Sequence, residues 1–235
     1  LGACLREHGQ RIDLRSLWLP ETASNPHIPH DLDGIDAVIS LGGPMNVGDR
    51  TPWMARELAF LKLCHQRQLP LIGICLGAQM IAKALGGEVG PMTDASGAPT
   101  AEWGMAPVRQ HPAANTETVL AGVPWTCWQM HAHGQEVKTP PPGALVLQFS
   151  DKCKVQSFRT GLRTYAFQYH FEWDLAVIQH MLRGNDPQIA LAGITDPRAA
   201  LDTVRGYYEE FARASDRLCM NLVEYLLPVS RRIVA

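Results

Sequence analysis

The sequence predicts an α/β domain built on an open, mixed but mostly parallel sheet flanked by helices, and three observations predict it. Two nearly continuous apolar runs, Ile35 to Leu41 and Leu71 to Cys75, each lead into a glycine turn, which is how a strand buried on both faces reads. Each run is followed by a stretch with apolar residues at helical spacing, giving the strand, helix, strand, helix rhythm of parallel strands joined by crossovers. Past Gly90 the pattern changes to short β-like pieces separated by Pro- and Gly-rich turns, which add strands that are partly antiparallel.

Taken in order, Leu1 to Gly9 reads as an amphipathic helix, and Arg11 to Leu17 has the character of a strand. Because the first residue is Leu1 rather than Met, the native N-terminus, with one upstream strand, is expected to be missing. Trp53 to Gln68 carries Met54, Leu58 and Leu61 at helical spacing, and Ala78 to Leu85 is a second helix closed by Gly86-Gly87. Met105 to Arg109, Thr126 to His131, Ala144 to Phe149 and Tyr165 to His170 are the later strands. From Trp173 the chain turns helical, and Leu201, Val204, Tyr207, Tyr208, Phe211, Leu218, Leu222 and Tyr225 give the stretch from Pro197 to Leu227 an apolar face. With no repeat, low-complexity tract or convincing linker, residues 1–235 are expected to form one domain.

Composition narrows the function. A net charge of −2 excludes a strongly basic nucleic-acid surface, and 46% hydrophobic against 19% charged residues supplies a core and excludes intrinsic disorder. Six cysteines without a CxxC pair, and no signal peptide ahead of them, predict a reduced, cytoplasmic protein. No apolar run reaches the roughly 20 residues a bilayer span needs, so no membrane association is expected.

The segment Leu71-Ile72-Gly73-Ile74-Cys75-Leu76-Gly77-Ala78-Gln79 sets Cys75 between a buried strand and a helix in a G-x-C-x-G frame. This is a nucleophile elbow with cysteine in place of serine. The turn is tight enough that bulky neighbours would collide, which requires Gly73 and Gly77, and the helix start favours a thiolate. A cysteine nucleophile needs a base, and the base an orienting partner. His170 and Glu172, two residues apart after an apolar strand, fit those roles. Gly42-Gly43-Pro44 ends another buried strand, where strand ends converge on a ligand crevice and a backbone N–H can meet an oxyanion. Each piece alone has an ordinary alternative: a core cysteine, polar residues after a strand, a Gly-Pro turn. His131-x-His133 offers two metal ligands on one strand face, but no third ligand at a supporting spacing accompanies it, so no metal is expected.

Together the motifs ISLGGPMNVGD (39–49), PLIGICLGAQMIAKALGG (70–87), EWGMAPV (102–108), KVQSFR (154–159) and YAFQYHFE (165–172) resemble the class I glutamine amidotransferases, in particular stand-alone proteins similar to the amidotransferase part of GMP synthase. The resemblance covers nearly the whole chain and implies a flavodoxin-like fold. It implies a Cys75, His170, Glu172 triad, oxyanion and glutamine-holding groups at Gly43, Leu76 and Gln79, and a substrate contact at His133 in a His-Gly-Asp-like core where Gln135 replaces the acid. Phe171 stands where the family usually has proline. The implied activity is hydrolysis of a γ-glutamyl amide, either glutamine or a γ-glutamyl-linked small molecule or peptide, through a γ-glutamyl thioester and without a cofactor. Two other readings stay open: a partner-dependent component supplying ammonia to a separate synthetase, and a non-catalytic binding relative. On the length of the sequence, no ATP-dependent acceptor domain is expected beside this module.

Overall fold

A computed structural model describes residues 1–49, 51–184 and 187–227. The chain has an α/β architecture in which a central sheet is flanked by helices. In the first half α1 (Gly2–Glu7), β1 (Val38–Ser40), α2 (Met54–Gln66), β2 (Leu71–Ile74) and α3 (Leu76–Ala84) follow one another. Then come β3 (Glu88–Pro91), β4 (Glu102–Gln110), β5 (Thr126–His133), β6 (Gln135–Thr139), β7 (Leu145–Phe149), β8 (Ser157–Thr160) and β9 (Thr164–Phe167). The helices α4 (Leu175–Arg183), α5 (Pro187–Leu191) and α6 (Pro197–Asn221) close the described chain, α6 running into a π-helical turn, Leu222–Leu226. Among the described residues no helix is long and apolar enough to cross a membrane.

The main sheet has seven strands in the order β1-β2-β9-β8-β7-β4-β5, and β3 pairs with β6 in a separate ribbon. The expected mostly parallel sheet is corrected here. Only β1 with β2 and β2 with β9 run parallel, and the other four neighbour pairs in the sheet are antiparallel. The reason lies in connection length: a parallel neighbour needs a crossover of a dozen or more residues, whereas β8 and β9 are joined by a tight turn that can only return the chain antiparallel. The expected strand at Arg11 to Leu17 is likewise absent. That segment is irregular, with Leu14 75% exposed and Arg15 paired to Asp13 across the same side of the backbone, so its alternation faces water instead of a neighbouring strand.

Burial explains the layers. All four residues of β2 are buried, as a continuous apolar run requires. Ile72 and Ile74 pack with Phe167, Leu218 and Leu222 on one face, while Leu71 packs with Leu61, Cys64, Met80 and Ile81 of α2 and α3 on the other. Fully burying such side chains stabilises the fold by roughly 1.5–3 kcal/mol each. Along α6, Val204, Phe211 and Leu218 are buried at heptad spacing, whereas Tyr207 and Tyr225 of the predicted apolar face are exposed. Tyr207 is nonetheless used, stacking on Trp128 of β5 at 3.6 Å between ring centroids. Asp174 and Asp196 cap α4 and α6, accepting from the backbone N–H of Val177 and Arg198, and Pro197 occupies the first turn of α6 where its missing N–H costs nothing.

Candidate active site

Three parallel strands end side by side, and each delivers one part of the site. In register, Ser40 lies opposite Gly73, and Ile74 opposite Phe167. The residues just past these ends are therefore neighbours: Gly42 and Gly43 after β1, Cys75 after β2, and Gln168 to His170 after β9. The Cys75 N–H donates to the Phe167 carbonyl at 2.8 Å, and the His170 N–H to the Met130 carbonyl of β5 at 2.7 Å, which fixes both exits.

Cys75 sits at φ 53°, ψ −109°, a left-handed backbone conformation that a side-chain-bearing residue holds only when its surroundings enforce it. Here the enforcement is visible. A Cβ on Gly77 would lie 2.0 Å from the Ser40 carbonyl oxygen, and one on Gly73 would lie 2.7 Å from the Gly77 backbone and 2.6 Å from Ile81 Cδ1. The strand-to-helix turn thus closes on backbone that leaves no space for side chains at either glycine. The Cys75 side chain is directed at β5, with Sγ 3.8 Å from the Ala132 carbonyl oxygen.

His170 is 4% exposed and its Nδ1–H donates to Glu172 Oε1 at 2.7 Å, which aims Nε2 away from the carboxylate. Its ring lies against the Gly42 backbone beside Cys75: a Cβ on Gly42 would meet His170 Cε1 at 2.9 Å and Cys75 Cβ at 3.4 Å. Burial pulls the His170 pKa down, but the Glu172 carboxylate and the Cys75 sulfur outweigh it and hold the imidazole well above its ordinary range, at about 10. Trp173, which sequence reasoning does not single out, stacks on the same ring with centroids 3.9 Å apart and planes inclined by 22°. An aromatic three residues after the histidine is the available signal. Phe171, in place of the expected proline, is buried against Phe167 and Tyr169, so it serves the core.

The remaining predicted residues divide. Gly43 and Leu76 are brought together, the Leu76 Cδ2 standing 3.2 Å from where a Gly43 Cβ would be. Gln79, one turn into α3, is buried and its Nε2 donates to the Gln168 Oε1 at 3.1 Å and the Gln135 carbonyl at 3.2 Å. The same Gln135 carbonyl accepts from His133 Nδ1 at 3.0 Å. Gln79 and His133 are thus joined through the backbone of the residue that replaces the expected acid.

A second group of titratable side chains adjoins the first. Glu102 of β4 lies opposite His133 in the β4–β5 register, and its Oε2 is 3.2 Å from His133 Nε2 and 3.6 Å from His131 Nδ1. Burial raises the Glu102 pKa, yet the two histidines and the Ser150 hydroxyl bring it down to about 2, while burial drives His131 to about 4. Glu102 is the third ligand-type residue that sequence spacing around His131 does not supply. It comes from the neighbouring strand, and its signal is its place in the motif EWGMAPV.

A family model described as "Glutamine amidotransferase class-I" matches residues 3–184. A glutamine-hydrolyzing GMP synthase subunit of Sulfolobus acidocaldarius is 32% identical over 162 residues, covering 68% of this chain and 80% of that protein. The corresponding protein of Methanococcus maripaludis is 34% identical over 165 residues, covering 69% and 74%. A crystal structure of a glutamine amido transferase from Methylobacillus flagellatus superposes with a TM-score of 0.79 at 23% identity, covering 100% of this chain and 92% of that one. A glutamine amidotransferase from Thermotoga maritima gives 0.77 at 22% identity, covering 95% and 91%. These two structures are similar in fold.

Proposed function

Because the chain belongs to the class I glutamine amidotransferase family, we propose that it hydrolyses the side-chain amide of glutamine with Cys75, His170 and Glu172 and supplies the ammonia to a separate synthetase. The observation that carries the chemistry is the strained backbone of Cys75 beside an imidazole whose Nδ1 is held by Glu172 at 2.7 Å. The partner is supported by relatives that are themselves single subunits of glutamine-hydrolyzing GMP synthases.

In the proposed reaction the Cys75 thiolate attacks the amide carbon, and the resulting oxyanion is met by the backbone N–H groups of Gly43 and Leu76. His170 Nε2–H gives its proton to the amide nitrogen, the C–N bond breaks, and ammonia leaves a γ-glutamyl thioester on Cys75. Water then attacks the thioester as Nε2 takes one of its protons, and glutamate and the thiolate are regenerated. Glu172 keeps the proton on Nδ1 throughout, so that Nε2 faces the reacting atoms. Gln79 and His133, tied through the Gln135 carbonyl, brace the wall that receives the amino-acid end of the substrate. No step calls for an organic cofactor.

The experiment is glutamate release from glutamine by the purified chain, alone and with the native synthetase partner, beside Cys75→Ala. Release that rises with the partner and vanishes in the variant is expected, with a γ-glutamyl adduct on Cys75 detectable by mass. Undiminished release by Cys75→Ala would remove the mechanism. Full turnover on γ-glutamyl compounds with no response to a partner would replace the ammonia-supplying role by that of a free-standing γ-glutamyl hydrolase.

A further inference from the structure

The second cluster has the chemistry of a metal site. Glu102, His131 and His133 are 3%, 0% and 3% exposed, and one ligand atom from each lies within 4.8 Å of the others. Their placement follows from the sheet. His131 and His133 alternate on β5 and so share a face, and Glu102 on β4 stands directly across from His133. A tetrahedral ion with bonds of about 2.0–2.2 Å to nitrogen and oxygen holds its ligand atoms roughly 3.3–3.6 Å apart. The two Glu102–histidine separations, 3.2 Å and 3.6 Å, are close to those edges.

Hydrogen bonding gives a second, independent observation. Apart from the approaches to Glu102 at 3.2 Å and 3.6 Å and an interaction of His131 with the Ala106 backbone, nothing satisfies the ring nitrogens of His131 or Nε2 of His133, although all three atoms are buried. Such orphans are costly inside a protein and ask for an explanation. His133 Nδ1 faces the Gln135 carbonyl at 3.0 Å, which leaves Nε2 directed at a carboxylate oxygen 3.2 Å away. A cation held between that nitrogen and that oxygen satisfies both. The carboxylate is itself oriented from behind, Oε1 accepting from the Ser150 hydroxyl at 2.5 Å and Oε2 from Gln156 Nε2 at 2.6 Å, the outer bonding that metal-bound carboxylates receive.

We propose that Glu102, His131 and His133 bind one divalent ion of the zinc class, pinning β4 to β5. The ion would have structural reach into the neighbouring site, because Ala132, between the two histidines, carries the carbonyl oxygen 3.8 Å from Cys75 Sγ. The proposal does not depend on amide hydrolysis, since metal content is read without turnover.

The test uses the full chain carrying Cys75→Ala, so that the nucleophile cannot take up zinc through sulfur. After exhaustive chelation, re-equilibration with zinc and gel filtration, elemental analysis should find one zinc per chain, and cobalt in its place should give the visible absorption of a tetrahedral site. Glu102→Gln and His131→Asn, checked for folding by circular dichroism, should each weaken zinc affinity at least about tenfold. Zinc below a tenth of an equivalent in the Cys75→Ala chain overturns the proposal without recourse to the ligand variants. So does zinc retained with unchanged affinity in a folded Glu102→Gln chain, or a histidine nitrogen NMR signal showing His133 doubly protonated in the presence of excess zinc.

Discussion

Gly42→Ala separates the proposed chemistry from the fold. The backbone at Gly42 is not in the left-handed region, so alanine is admitted there without conformational strain. Its methyl would stand 2.9 Å from His170 Cε1 and 3.4 Å from Cys75 Cβ. Restoring ordinary contact requires a displacement of about 0.5 Å, and the imidazole has little room to give it: Trp173 is stacked on its ring with centroids 3.9 Å apart and Glu172 holds Nδ1 at 2.7 Å. A misplacement of about 1 Å between reacting groups costs on the order of a hundredfold, so half that shift is expected to lower kcat by roughly tenfold or more. Overpacking of this size destabilises by about 1–3 kcal/mol, which moves Tm of a chain this long by about 2–12 °C. Gly43→Ala is the comparison, because its methyl meets the flexible ends of Leu76 at 3.2 Å and Met45 at 3.6 Å instead of the imidazole, and it keeps the backbone N–H. Steady-state glutamate release and differential scanning calorimetry on both variants decide the matter. A Gly42→Ala enzyme with kcat within twofold of the parent would refute the placement of the reacting atoms between Cys75 and His170.

Three further outcomes are expected. Gly77→Ala forces a methyl to 2.0 Å from the Ser40 carbonyl, a backbone atom that cannot move without breaking the β1–β2 pairing, so Tm should fall by roughly 6–12 °C for a cost of about 3 kcal/mol; an unchanged melting curve would count against the elbow geometry. Glu172→Gln removes the principal charge holding the His170 proton, so the alkaline limb of the kcat profile should move to lower pH. The sign of the linked stability follows: with its folded pKa raised from 6.5 to about 10, His170 contributes stability below pH 6.5 that is lost as pH rises toward about 10, and Glu172→Gln should flatten this fall when Tm is followed across that range. Trp173→Leu removes the ring stacked on the imidazole, a contact worth about 0.5–2 kcal/mol when the histidine is charged, and should lower kcat by roughly 2- to 30-fold with Trp173→Phe partly restoring it; equal activity in both variants would make the stack incidental.

Apart from the expected strand at Arg11 to Leu17, the first half of the fold is legible because its signals are local. A continuous apolar run such as Leu71 to Ile74 reads as a strand buried on both faces, and the glycines at 73 and 77 report how closely backbone approaches at the turn. Sheet direction in the second half is less legible, since short β-like pieces carry no mark of which neighbour they will pair with. β8 shows in the sequence only as part of a motif, and β3 and β6 are hard to see because Gly90, Pro91 and the exposed Lys138 and Thr139 dilute the alternation. In the candidate site, motif chemistry proposes Cys75 and His170, and the ends of β2 and β9 set them side by side. Glu102 is not readable as a neighbour of His131 and His133, because their proximity arises from cross-strand register between segments far apart in the chain.

The two clusters nonetheless have one structural origin. Parallel pairing makes β1, β2 and β9 end at one level, so that Gly42, Cys75 and His170 meet without any loop having to reach. The antiparallel half then carries β5 back past that edge, where the Met130 carbonyl receives the His170 N–H and the Ala132 carbonyl faces Cys75. Because side chains alternate along β5, the two histidines that flank Ala132 share one face of the strand, and register sets Glu102 of β4 beside them. Any group that fixes those two histidines therefore also fixes the strand that borders Cys75. A mostly antiparallel sheet, in place of the mostly parallel one expected, is what allows a buried polar cluster to sit one residue away from the proposed reaction.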